Sequence, residues 1–252
     1  MWDCREEANV DRSDGPYKSA GGWLVRRLYR PSTVVRVEEP AEGYRALTLG
    51  GESLKGVAWA PGQKIQIATG GGSNRAYTPM LWDTARGEAR ILAFLHSEGP
   101  GSRWASRTKV GDACLFTGPR RSLELGGLGA RAFLFGDETS VGLAVALRNA
   151  VSPSDTVSCL FEVSSIPASQ RAWQAFGSGD ATFVQRRDGD GHLGEVESHT
   201  RRIFASGPPS GFVLTGKVSS IQRVRGLLRA LGVETSRLRV KAYWAPGKTG
   251  LD

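Results

Sequence analysis

The sequence predicts a two-domain chain: an antiparallel β-barrel followed by a doubly wound α/β domain on a parallel sheet. Three observations carry this. Residues 33–125 break into short runs that alternate apolar and polar residues and are separated by Gly and Pro, as half-buried antiparallel strands are. From residue 130 the strand runs become continuously apolar and alternate with helix-period segments, the pattern of a parallel sheet covered on both faces. The 252 residues suffice for two modest domains with proper cores.

In the first half the strand candidates are TVVRVEE (33–39), YRALTLG (44–50), KIQIA (64–68), RAYTP (75–79), RILAFLH (90–96) and ACLFTG (113–118). Their regular spacing with turn signals points to a small barrel or sandwich. A short helix begins near Pro100–Trp104. In the second half ARAFLFG (130–136) runs into DETSVGLAVALRNAV, which has cap residues at its start and helical periodicity after them. Then follow strand TVSCLFEV (156–163), helix SQRAWQAF (169–176), strand ATFVQR (181–186), helix HLGEVESHTRRIFA (192–205), strand GFVLTG (211–216), helix SSIQRVRGLLRALG (219–232) and strand RLRVKAYW (237–244). The seam is expected in the loop 123–131, giving a polar arm over 1–20, a first domain over 21–126 and a second over 127–252.

Composition excludes several classes. No run approaches the roughly 20 apolar residues of a membrane span. The N-terminus has no apolar core of a signal peptide, so a cytoplasmic protein is expected. Cys4, Cys114 and Cys159 are too few and too scattered for a disulfide framework, and Cys114 and Cys159 read as small buried hydrophobes. His96, His192 and His199 have no metal-ligand spacing, so no metal site is expected. The net charge of +8 permits anionic partners. The basic residues are dispersed as pairs such as Arg120-Arg121, Arg186-Arg187 and Arg201-Arg202, with no aromatic platform between them. Small anionic ligands explain this better than nucleic acid.

Ligands of open α/β sheets bind at the carboxyl ends of the strands. Three such ends stand out. FGDETSVG (135–142) offers Gly136 for close approach and Thr139 at a helix start, although an ordinary helix cap reads equally well. EVSSIPASQR (162–171) supplies Ser164, Ser165 and Arg171, hydroxyls with a guanidinium that suit an adenosine 2′-phosphate; a surface cap beside a solvated Arg is the competing reading. LTGKVSSIQR (214–223) places Lys217 at a strand end. In the first half, a strand over RAYT projects Arg75 and Tyr77 to one face and Thr78 to the other. A guanidinium forks onto a pyrophosphate, a tyrosine ring lies on a planar heterocycle and a Thr hydroxyl reaches a ring nitrogen. A Tyr covering the barrel wall beside a solvated Arg remains the plain alternative.

RAYTPMLWD, FLHSEGPGSRWAS, KVGDACLFTGPRRS, LFGDETSVGLA, LTGKVSSIQRVRGLL and KAYWAPGKTGLD occur in this order. Over roughly residues 30–252 the chain resembles the siderophore-interacting protein family, flavin-binding ferric-siderophore reductases within the ferredoxin–NADP reductase-like superfamily. The resemblance implies FAD as cofactor. Arg75 would hold its pyrophosphate, Tyr77 pack on the ring, Thr78 contact the ring, and Asp83 complete the motif. His96, Gly101, Ser102, Trp104 and Ala105 match the block whose amides meet the FAD phosphates; Trp104 reads equally as core. Gly136, Asp137 and Thr139 match the block near flavin and nicotinamide. Three departures stand out: Met80 replaces an Arg of the family's motif, Ser140-Val141-Gly142 replaces its Ala-Leu-Pro, and Lys217 replaces the Glu that follows Gly216's counterpart in many members.

The activity implied is transfer of electrons from NADPH or NADH through FAD to an Fe(III)-siderophore, with release of Fe(II) and with Thr78 and Thr139 nearest the chemistry. Ser165 and Arg171 tilt the donor towards NADPH. Lys217, Arg223 and Lys248 would attract an anionic ferric chelate. Three alternatives stay open: another acceptor such as free flavin, a quinone or a secondary metabolite; a non-redox binding module; and reduced ferredoxin as donor.

Overall fold

The computed structural model describes residues 29–96, 99–177 and 179–247; the arm over 1–20, Cys4 and Lys248 lie outside these. The chain forms β1 (Arg30–Ala41), β2 (Tyr44–Gly50), β3 (Lys64–Ala68), β4 (Asn74–Tyr77), β5 (Leu81–Asp83), β6 (Glu88–Phe94), α1 (Pro100–Arg107) and β7 (Ala113–Arg120). Then come β8 (Arg131–Asp137), α2 (Val141–Ala150), β9 (Thr156–Val163), α3 (Ile166–Phe176), β10 (Ala181–Gln185), α4 (Leu193–Ala205), β11 (Gly211–Lys217), α5 (Val218–Ala230) and β12 (Leu238–Trp244). β2, β3 and β9 coincide with the expected runs residue for residue. β5 has no counterpart in the sequence reading: three residues are too few to display alternation, and only pairing with β6 makes them a strand.

The first block is a seven-stranded antiparallel sheet in the order β4-β3-β7-β1-β2-β6-β5. β1 contains Pro40, which has no N–H for the ladder, and a register shift between Glu38 and Ala41 accommodates it. Alternate residues turn inward, and Val34, Leu47, Leu49, Ile65, Ile67, Ile91 and Phe116 are all fully buried in one core. Each such side chain contributes roughly 1.5–3 kcal/mol by leaving water.

The second block is a five-stranded sheet in the order β10-β9-β8-β11-β12, parallel at every described pairing. α2 and α3 cover one face through Leu143, Val145, Ala172 and Trp173. α4 and α5 cover the other through Val196, Ile221, Val224 and Leu228. Strand order reverses between β8 and β11, so ligand chemistry is expected at the carboxyl ends there. The fold class read from the sequence is thus the fold observed. Cys114 and Cys159 are buried free thiols, both pushed up to about 12 by burial.

The core over α2 and α3 continues into the first block through Tyr44, Ala46, Met80 and Leu92. Tyr44 Oη lies 2.8 Å from Ser169 Oγ on α3. An apolar seam with a polar tie therefore fixes β2 and β6 against α2 and α3. Among the described residues no helix is long and apolar enough to cross a membrane.

Candidate active site

A cavity of about 440 Å³ opens along this seam. β4 and the residue after it contribute Arg75, Tyr77 and Thr78; β6 and its end contribute Leu92, Phe94 and His96. α1 presents Pro100, Gly101 and Ser102 at its N-terminus, and the second block supplies Thr139, Gly142 and the end of β12 from Lys241 to Trp244. Lys64 and Ser122 complete the wall.

Local rules explain the arrangement. Pro100 opens α1, where its missing N–H costs nothing. The next residue is Gly101, and a Cβ there would stand 3.1 Å from Arg75 Cγ and 3.3 Å from Tyr77 Oη. The missing side chain lets the helix start close against β4, so its free amides face the same space as the guanidinium. The Tyr77 ring packs 5.8 Å from Trp104, and burial raises its hydroxyl well above the ordinary tyrosine range. Phe94 stacks on His96 at 6.0 Å.

The second block enters through Asp137. Its carboxylate accepts a 2.9 Å bond from the Thr139 amide and one from the Thr139 hydroxyl, so the turn after β8 holds Thr139 at the cavity. Trp244 Nε1 donates to its other oxygen at 2.6 Å. Tyr243 shares a side-chain hydrogen bond with Thr78, and burial pushes its hydroxyl up to about 12. One buried carboxylate thus links the GDET turn to β12.

Burial pushes the Asp137 carboxyl up to about 6, against the bonds from Thr139 and Trp244 that favour its charged form; Glu138 adds to the rise. An acid whose pKa is higher folded than unfolded stabilises the fold fully below the unfolded value and loses that contribution as pH climbs through the folded one. Asp137→Asn is therefore expected to flatten the fall in melting temperature of the wild type between about pH 4 and 7. Parallel melting profiles for the two proteins over that window would refute the assignment.

Seven of the residues singled out in the sequence line the cavity: Arg75, Tyr77, Thr78, His96, Gly101, Ser102 and Thr139. Trp104, Ala105, Gly136 and Asp137 stand behind it as packing or as hydrogen-bond supports. Asp83 does not reach it: its Oδ1 accepts the amides of Ala85 and Arg86, closing the β5–β6 turn. Ser165 is the N-cap of α3, accepting from the Ala168 amide, and Arg171 lies exposed on that helix. Lys217 is paired with Asp190 and lies over Trp244, while Arg223 is paired with Glu197 on α4. The expected cluster of cations at 217 and 223 is therefore not assembled at the cavity, because neighbouring carboxylates engage both.

The cavity's cations are instead Arg75, Lys64 and Lys241. The Lys241 side chain has no ion-pair or hydrogen-bond partner among the described residues. The sequence signal for it was its place on a strand ending in Tyr243 and Trp244; its pointing to the cavity depends on β12 pairing with β11. Met80, 1% exposed, belongs to the seam. A Cβ on Gly142 would come within 3.3 Å of Met80 Cγ and 3.5 Å of the Thr78 carbonyl. Two of the departures from the family pattern thus touch each other.

Compared with known proteins, residues 69–123 match the siderophore-interacting FAD-binding domain. An NADPH-dependent ferric-chelate reductase of Escherichia coli (strain K12) is 30% identical over 125 residues, covering 38% of this chain and 46% of that protein. The chain thus matches less than half the length of this curated relative. A siderophore utilization protein from T. fusca superposes with a TM-score of 0.70 at 21% identity, over 89% of this chain and 95% of that one. The ferredoxin reductase in carbazole 1,9a-dioxygenase gives 0.69 at 19% identity, over 86% of this chain and 69% of that one. Both likenesses are likenesses of fold.

Proposed function

We propose that the chain, whose residues 69–123 match a siderophore-interacting FAD-binding domain, is an FAD-dependent oxidoreductase of the ferric-chelate reductase type, taking electrons from a nicotinamide nucleotide and reducing an iron(III) chelate such as a ferric siderophore. The observation that carries this reading is the convergence of Arg75, Tyr77, Thr78 and the N-terminus of α1 on one cavity with Thr139. These residues fit FAD. Gly101 leaves a cradle between α1 and β4, a guanidinium and helix amides suit a pyrophosphate, and Tyr77 and Phe94 offer apolar faces to a flat ring.

When bound, FAD supplies the conversion of a two-electron donation into single-electron delivery to iron. The protein's own part is to bind and orient. Arg75 and the amides at residues 101–102 hold the phosphates. Tyr77 and Thr78 fix the ring, with Tyr243 orienting the Thr78 hydroxyl. Thr139, held by Asp137, borders the cavity from the second block, which takes the nicotinamide nucleotide. Lys64 and Lys241 bring positive charge to the cavity, which raises the local concentration of an anionic chelate. Iron loosened from hard oxygen donors by reduction leaves as Fe(II), so no nucleophile or resident metal is required.

The test is an absorbance spectrum of the purified protein before and after anaerobic NADPH or NADH. Bound-flavin bands that bleach with the nucleotide and return on adding a ferric siderophore support the proposal. A protein that stays colourless after incubation with FAD defeats it. Arg75→Ala is expected to weaken FAD retention by roughly tenfold to a hundredfold, the value of a charge-assisted hydrogen-bonding group. Equal flavin occupancy in the variant after gel filtration would remove Arg75 from the site.

A second reading, the same flavin chemistry with another acceptor such as free flavin or a quinone, is favoured by Met80. The family motif's charged residue is here an apolar side chain turned into the seam. Turnover of quinones with none of ferric chelates would select it.

A further inference from the structure

At the turn between β9 and α3, Ser164 donates both its amide, at 2.5 Å, and its hydroxyl, at 2.7 Å, to Glu138 Oε1. Arg186, at the end of β10, donates to Glu138 Oε2 at 2.7 Å and to the Glu162 carbonyl at 3.0 Å. A backbone amide, a hydroxyl and a guanidinium converging on one point make a seat for a phosphate. Its occupant is a carboxylate of the chain itself. Ser164 is exposed, whereas the Glu138 side chain is 2% exposed, so the acid fills the seat from beneath.

The same holds at the neighbouring strand ends. Asp190 takes Lys217 and the Ser219 hydroxyl at the end of β11. Asp137 takes the Thr139 amide at the end of β8. The donors that an incoming phosphate would seek on these turns are thus engaged internally. The hydroxyl-plus-guanidinium site read from Ser165 and Arg171 is not formed either, since Ser165 caps α3.

We propose that Glu138 is a built-in anion occupying the phosphate seat of the β9–α3 turn, and that it makes the chain's choice of electron donor indifferent to a 2′-phosphate. This rests on the reading of the chain as a nicotinamide-nucleotide-fed flavoprotein. A second negative group brought to the turn meets an Arg186 already neutralised by Glu138 and gains no ion pair there. NADH and NADPH are then used alike, with the nicotinamide and pyrophosphate ends supplying the affinity. Removing the carboxylate frees Ser164 and Arg186 and creates discrimination in favour of the phosphorylated nucleotide.

The experiment is calorimetric titration of the full chain with 5′-ADP and with 2′,5′-ADP, which need no turnover, alongside melting curves with and without inorganic phosphate. For the wild type the two dissociation constants should agree within about threefold, and phosphate should leave the melting temperature unchanged. Glu138→Ala should bind 2′,5′-ADP about tenfold more tightly than 5′-ADP and gain several degrees of melting temperature from phosphate. If the variant folds only with phosphate present, that is the same result. A wild type that prefers 2′,5′-ADP by tenfold overturns the proposal by itself, whether or not Glu138→Ala folds. So does a folded Glu138→Ala that ignores both phosphate and the 2′-phosphate. Failure of the flavoprotein reading would show separately, as absence of bound flavin in the absorbance spectrum.

Discussion

Met80→Arg, which restores the charged residue of the family motif, is expected to destabilise the protein by at least about 3 kcal/mol rather than improve its site. Met80 is 1% exposed and packs in one cluster with Leu92, Val141 and Leu143 across the seam. A guanidinium there has to surrender its hydration with no partner in an apolar cluster, or force the seam apart. Met80→Leu keeps the volume and should cost less than about 1.5 kcal/mol. The seam predicts a further signature. Met80 Cγ is 3.3 Å from where a Cβ on Gly142 would stand, so Gly142→Ala crowds Met80 in the wild type. In a Met80→Ala background the same methyl enters vacated space. The pair should show a coupling of about 0.5–1 kcal/mol in a double-mutant cycle. Urea denaturation of the wild type, the four single variants and the double variant measures all of this. An Arg variant as stable as the wild type would mean that residue 80 reaches the cavity and that the seam is not closed by it.

Gly216→Ala should be nearly as damaging, by about 2–4 kcal/mol, although it adds one methyl. Gly216 has φ +102°, a conformation that alanine rarely adopts, and a Cβ there would stand 2.5 Å from Asp137 Oδ2 and 3.2 Å from the Asp137 amide nitrogen. The backbone atom cannot yield without moving β8, so the carboxylate is displaced. That carboxylate is what holds Trp244 and Thr139, so the loss reaches the cavity from beneath. The expected result is a lower melting temperature together with a changed near-ultraviolet dichroism as the indole loses its partner. Gly226→Ala is the control. It lies exposed in α5 with nothing near its Cβ position, and alanine should stabilise that helix by about 0.5–1 kcal/mol. If the two substitutions behave alike, the close packing of Asp137 on Gly216 is wrong.

Much of the site was legible because its residues sit on contiguous motifs. Arg75, Tyr77 and Thr78 are neighbours in the chain, as are Gly101 and Ser102, and a strand or a helix start aims such residues by local geometry alone. The charged residues beyond these motifs were less legible. Lys217 and Arg223 are cations in the sequence, but their partners Asp190 and Glu197 lie 27 and 26 residues away, and only folding brings the pairs together. Ser164 and Ser165 read as phosphate ligands because nothing local shows that Glu138, 26 residues earlier, already takes Ser164. Lys64 and Lys241 read as ordinary strand residues, and they share a cavity only because the two sheets meet there.

By itself the sequence determined the order and kind of nearly every element, the change from an antiparallel to a parallel sheet, and the flavin-type motif on β4 and α1. Those depend on periodicity, turn residues and close approach, which act over a few residues. The tertiary structure decided which charges are available and which are neutralised, where Met80 goes, and that Asp137 links the GDET turn to Trp244. Burial and ion pairing between distant segments set these, and a charge's chemistry follows from the partner and solvent it finds after folding.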